Sequence, residues 1–268
     1  PAALPASAPA PLAPLEIEVA QAPDLPALPP LAALLPPPAA ASAPAFEWPP
    51  STRLSYRVVG DYRGPIEGQA EVRWLRDGRR YQVFMDLSIG ASFAPLMRRV
   101  VDSEGVITPQ GLSPSRYDEE TRFVLRDPRR YSIRLDDDRI VLPDGTSVPR
   151  PAGVQDSASQ FVQLTWLFIT TPTLLQTGRT ITLPLALARS VEPWVYDVLG
   201  SETLYTPMGP IDTVHLKPRR RPQPGVVLTA EIWVAPSLQY LPVRILIHQD
   251  ARTWVDLRIS RLPEQAAR

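Results

Sequence analysis

Residues 71–87 read EVRWLRDGRRYQVFMDL, and this stretch decides the fold. Val72 and Trp74 alternate with Glu71 and Arg73, and Tyr81, Val83, Met85 and Leu87 repeat the same spacing. A period of two is the mark of a strand with one buried face. Asp77-Gly78 lies between the two runs. That dipeptide suits a tight turn, because glycine accepts the positive φ that a two-residue hairpin demands. The stretch therefore predicts an antiparallel hairpin.

The pattern extends in both directions. Upstream, Leu54, Tyr56 and Val58 alternate with Ser55 and Arg57. Downstream, strands are expected over 100–106, 123–125 and 131–135, with Asp136-Asp137-Asp138 as a turn. A second hairpin signal, Asp144-Gly145, separates 139–142 from 146–148. A further set of strands is expected over 180–183, 194–199, 202–205, 213–217, 226–234, 241–248 and 253–259. Pro207-Met208-Gly209-Pro210 and Pro222-Gln223-Pro224-Gly225 read as turns or loops between them. Strands that follow one another without intervening helices point to a mainly β protein: an antiparallel curled sheet, half-barrel or barrel.

One segment breaks the period. Asp156 or Ser157 can cap a helix, and Ser157-Ala158-Ser159-Gln160 fits a capping box. Phe161, Val162, Leu164, Trp166, Leu167, Phe168 and Ile169 then follow almost without interruption. A helix apolar on all sides is buried, so one buried helix is expected at about 157–169, ending before Pro172.

The N-terminal fifty residues are different in kind. Fifteen are Pro, sixteen are Ala and none is Lys or Arg. Proline fixes φ and lacks an N–H, so Pro36-Pro37-Pro38 favours polyproline II over helix or sheet. Extended at about 3.1 Å per residue, such a stretch reaches on the order of 150 Å. Residues 1–50 are read as a disordered Pro/Ala-rich tether, or a plain disordered terminus, and 51–268 as one domain. The chain begins at Pro1 instead of Met, which suggests that a signal peptide or a membrane anchor once preceded it.

Charge and chemistry narrow the function. Twenty-eight basic and twenty-eight acidic side chains cancel, which argues against a nucleic-acid binder driven by counterion release. Cysteine is absent, so thiolate metal sites and cysteine nucleophiles are excluded. His215 and His248 are two, and a zinc site needs a third ligand. Asp118-Glu119-Glu120 reads as a solvated turn; catalysis there would need two carboxylates across a cleft. No phosphate loop, G-x-S-x-G elbow or H-E-x-x-H occurs. No catalytic residue, metal or cofactor is implied. Trp166, Trp194, Trp233 and Trp254 pack in the core or, if the sheet encloses a cavity, line a hydrophobic ligand site. Arg219-Arg220-Arg221, between Pro218 and Pro222, is the dense basic spot and a candidate contact for an anion or partner.

Four segments carry a family resemblance: Arg116-Tyr117-Asp118-Glu119; Gln155-Asp156-Ser157-Ala158-Ser159-Gln160 leading to Gln163-Leu164; Glu231-Ile232-Trp233-Val234-Ala235-Pro236; and Tyr240-Leu241-Pro242-Val243-Arg244-Ile245. In this order they resemble the uncharacterised bacterial envelope family catalogued as domain of unknown function 3108, over about 54–262. Strands around one apolar helix are also loosely similar to the half-barrels of LolA/LolB-like lipoprotein carriers. The first resemblance implies a bacterial envelope protein whose N-terminal hydrophobic segment precedes a Pro-rich stretch, and it supplies no catalytic residues. The motif residues have structural readings: Gln155 and Asp156, with Ser157, cap the helix; Glu231 and Arg244 pair across neighbouring strands; Pro236 and Pro242 bracket the turn between those strands.

These readings converge on a non-enzymatic periplasmic module, tethered to the inner membrane or exported. It would bind a lipid, acyl chain or partner segment on a concave β face. The alternative is a scaffolding envelope protein acting through a sheet edge or the arginine tip; an envelope-polymer hydrolase using Asp118 and Glu120 is a third reading. Partners would be a lipid, a lipoprotein or an envelope protein, with membrane contact only through a segment absent from the chain.

Overall fold

Alternating side chains sort onto two faces, and the buried face drives sheet formation. The computed structural model describes residues 47–62, 64–91, 93–124, 126–219, 229–249 and 252–266. The strands are β1 (Thr52–Asp61), β2 (Pro65–Asp77), β3 (Arg80–Ala91), β4 (Ala94–Thr108), β5 (Gly111–Phe123), β6 (Arg126–Leu135), β7 (Arg139–Val141), β8 (Ser147–Pro149), β9 (Gln155–Asp156), β10 (Thr180–Ala186), β11 (Val191–Thr206), β12 (Gly209–Pro218), β13 (Thr229–Ala235), β14 (Leu241–His248), β15 (Trp254–Ile259) and β16 (Glu264–Gln265). The helix α1 spans Ser159–Thr170 between β9 and β10.

All sixteen strands join one sheet, in the order β8-β7-β6-β5-β4-β3-β2-β1-β15-β14-β13-β12-β11-β10-β9, with β16 beside β1. Neighbours are antiparallel except β9 and β10. The sheet is open, because its edges β8 and β9 do not pair with each other. The chain's two halves meet where β1 pairs with β15, Tyr56 opposite Ile259 and Val58 opposite Leu257. The concave face is apolar: Leu54, Tyr56 and Val58 pack with Ile245, Leu257 and Ile259 in one cluster. Two further clusters flank α1, one built on β2 to β7 and the other on β10 to β13.

The hairpin of the opening stretch forms as expected, with Asp77 opposite Arg80 and Gly78 at φ 56°. Four expectations are corrected. The strand placed over 123–125 instead runs Gly111–Phe123 and ends there, and Leu125 lies outside the described residues. Its register puts Asp118, Glu119 and Glu120 in mid-strand, not in a turn. The strands expected over 194–199 and 202–205 are one strand, β11, with a bulge at Leu199 that bends it without breaking it.

The fourth correction concerns α1. Its most buried side chains include Ser159, Gln160, Gln163 and Thr165, while Phe161, Val162, Trp166, Leu167 and Ile169 are half-buried. A helix inside a curled sheet meets strand ends and turns whose backbone groups need partners, and its polar side chains serve them. Gln163 accepts from Leu112 N at 2.7 Å and donates to Gln110 O. Thr165 donates to Tyr240 O, and Tyr196 donates to Gln160 Oε1 at 2.9 Å. Leu164 and Phe168 supply the apolar contact, at 1% and 0% exposure.

Trp48, which precedes the expected boundary at Ser51, packs against the cluster built on β2 to β7. Residues 1–46, read as most of the tether, lie outside the described residues, as do Arg220, Arg221 and the Pro222–Gly225 loop.

Candidate functional site

The start of α1 is a buried polar node. Asp156 Oδ1 accepts from the N–H groups of Ala158 and Ser159, and Ser159 Oγ accepts from Asp156 N. This is a reciprocal capping box built on Asp156 and Ser159, not on Ser157 and Gln160. Ser157 lends only its carbonyl, which accepts from Gln160 Nε2. Ser103 Oγ also donates to Asp156, at 2.6 Å from β4. Burial pushes the Asp156 carboxyl up, against the three hydrogen bonds that its oxygens accept. Gln155 does not touch the helix start: its Nε2 donates to Leu112 O and Gly153 O, tying β9 to β5.

The tryptophans do not converge. Trp194 and Trp233 are each 3% exposed and belong to separate parts of the core. Trp254 is half-buried at the start of β15, opposite His248 and Asp61. Trp166 lies on the half-buried side of α1 and stacks on Trp48 at 6.3 Å. Trp48 stacks in turn on Trp74 at 5.7 Å, and Trp74 on Tyr81 at 5.6 Å. Four rings thus run from α1 to the inner wall. Trp48 was grouped with the tether in the sequence reading; the signal that marks it is an aromatic pair, Phe46 and Trp48, at the close of a stretch otherwise free of aromatics.

The opposite face of the sheet carries a second network. Trp233 lies between the His215 ring, at 4.0 Å and 10°, and the Arg244 guanidinium, at 4.2 Å. Its Nε1 donates to Glu202 at 2.7 Å. The expected Glu231–Arg244 pair does not form. The register sets Arg244 opposite Trp233 and Glu231 opposite Leu246, so the two are only diagonal neighbours and each has a nearer partner. Arg244 binds Asp256 in two bonds of 2.9 Å. Glu231 meets His215 at 2.9 Å and Lys217 at 3.0 Å. The His215 hydrogen bond, followed by Lys217, holds the Glu231 carboxyl down at about 2. Pro236 opens a 3-10 turn and Pro242 is the second residue of β14, so the two bracket the β13–β14 turn as expected.

Asp118 and Glu120 occupy the face opposite buried Tyr117 and Glu119. Asp118 is bound by Arg116 and Ser132, and Arg122 and Arg130 hold the Glu120 carboxyl down at about 2. Both carboxylates are thus engaged by arginines on that face. Glu119 turns inward, where Tyr117, Tyr131 and Arg99 all donate to it; sequence reading missed it because the register of β5 was not visible. Arg219 pairs with Asp197 at 2.9 Å. Among the described residues no group of three metal-ligating side chains is arranged to hold an ion, and no helix is long and apolar enough to cross a membrane.

An open antiparallel sheet curled about one helix is a β-barrel-like domain. A solved structure of the same kind, the beta-barrel-like protein of domain of unknown function DUF1849 from Brucella abortus, aligns with a TM-score of 0.53 at 10% identity, over 81% of this chain and 98% of that chain. The sequence model of the family described as "Protein of unknown function (DUF3108)" matches residues 54–251, and the chain belongs to that family, as its motifs implied. No curated protein matches the sequence.

Proposed function

We propose that the domain is a non-enzymatic binding module of the bacterial periplasm, and that it holds one apolar chain, a lipid tail or acyl group, along α1. The observation that carries this reading is the orientation of α1. It commits its polar side chains to the interior, packs Phe161, Val162 and Leu167 at the margins of the core clusters, and leaves Trp166 and Ile169 half-buried on one side. Half-exposed apolar side chains gain about 25 cal/mol per Å² when covered, so an apolar occupant is stabilised there. The occupant lies along the helix and not beneath it, because the side chains on the inner side of α1 are packed to 0–6% exposure. The Trp166–Trp48 stack gives that side of the helix a flat aromatic surface.

Scaffolding through a sheet edge has less support: β8 is three residues long and ends in Pro149, β9 is two residues long, and the stretch of β6 that β7 leaves unpaired carries Pro128, Arg126, Arg129 and Arg130. Short, proline-bearing edges resist strand addition. Native mass spectrometry and solvent extraction of protein purified from bacterial envelopes test the proposal. Co-purifying lipid near one per chain, lost in Ile169→Glu, is the expected result. Protein free of lipid that also fails to quench its tryptophan fluorescence with brominated fatty acid would refute it.

A further inference from the structure

We infer that the end of the sheet formed by the β1–β2, β3–β4 and β5–β6 turns is a surface that docks on a bilayer rich in anionic lipid. The three turns open at the same end. Asp61 faces Pro65 across the first, Ala91 faces Ala94 across the second and Phe123 faces Arg126 across the third. The registers Gly68 to Ile89 and Met97 to Phe123 hold them side by side.

Each turn carries an apolar side chain in solvent. Tyr62 is 47% exposed, Phe93 91%, Leu96 60% and Val124 52%. Val124 N donates to Leu96 O at 3.1 Å, which fixes the second and third turns against each other. Phe93 at this exposure contributes nothing to the core. Leaving such a side chain in water forgoes the stabilisation that burial would return, and grouped exposed apolar residues mark a contact surface.

Behind the apolar tips lie Arg98, Arg122, Arg126, Arg129 and Arg130, and residues 93–98 and 122–130 include one carboxylate, Asp127. Arg98 is held by Asp86, and Arg122 and Arg130 by Glu120. Arg126 and Arg129 are exposed. Apolar side chains in front and guanidiniums behind match the two layers of a bilayer surface: acyl boundary, then phosphate. This surface shares no residue with the α1 face, so either can fail without the other.

The test is co-sedimentation of the full chain with vesicles of phosphatidylcholine alone and of phosphatidylcholine mixed with phosphatidylglycerol. The mixed vesicles should bind at least about tenfold more strongly, and added salt should weaken that binding. Phe93→Ser with Leu96→Ser should lose about tenfold on mixed vesicles, and Arg126→Ser with Arg129→Ser several-fold, both with unchanged circular dichroism. Equal or absent binding to the two vesicle types overturns the inference, as does wild-type binding by the Phe93→Ser/Leu96→Ser chain. Self-association of the wild type in sedimentation velocity that this double variant abolishes would also overturn it, assigning the patch to protein contacts.

Discussion

At the scale of single residues, Glu231 shows how a sheet face can make one carboxylate carry a pH dependence. Its carboxyl drops from 4.5 to about 2 in the folded protein. A depressed acid contributes stability that is complete above its unfolded pKa and is lost as pH falls through its folded one. Wild-type protein should therefore lose this contribution between about pH 4.5 and about pH 2, and Glu231→Gln should show a shallower decline over the same window. Urea midpoints measured at successive pH values check this; parallel curves for the two proteins would contradict it. The charge types at 231 and 244 were legible in the sequence, but their partners were not. A bulge between Trp233 and Val234 and the arrival of Asp256 from β15 decide which carboxylate Arg244 meets.

At the scale of elements, α1 is fastened by the turn that precedes β5. Gly111 sits at φ 106°, and a Cβ there would lie 2.2 Å from the Gln163 carboxamide. Only glycine lets the turn come that close while keeping a positive φ. Gly111→Ala should destabilise the domain by about 2 kcal/mol or more, through strain and loss of the Gln163 bonds. Gln163→Ala should cost about 1–3 kcal/mol by stranding Leu112 N. Chemical denaturation reads both; near-neutral values would show that the turn relaxes freely. The helix was legible from its apolar run and its Asp156 cap. Its orientation was not, because an all-round apolar pattern does not say which side faces the sheet. Gln160, Gln163 and Thr165 settle that side by finding partners on three separate strands or turns.

At the scale of the molecule, the sheet is continuous only through β1 and β15, whose paired residues are some two hundred positions apart. Tyr56 reinforces the seam by donating to Pro242 O at 2.7 Å. Deleting residues 254–268 removes the strand that joins the halves and exposes Leu54, Tyr56 and Val58 with their partners. The truncated chain should lose its cooperative unfolding transition and its near-ultraviolet circular dichroism. A cooperative transition that survives truncation would mean that each half folds alone. Such long-range pairing also predicts refolding on the slow side, milliseconds to seconds or longer.

The mainly antiparallel sheet, the tight turn at Asp77-Gly78, the helix, the change of composition before the domain and the family are all written in local sequence. Each of these rests on local periodicity, turn chemistry or quoted motifs, which act over a few residues. Only the tertiary structure decided that the sheet stays open, that α1 turns its polar side inward, that Trp48 belongs to the fold and that Glu119 is buried while its neighbours are not. It also gathered Tyr62, Phe93, Leu96 and Val124 at one end. These outcomes depend on strand register and on contacts between residues far apart in the chain, where a shift of one position exchanges the two faces of a strand.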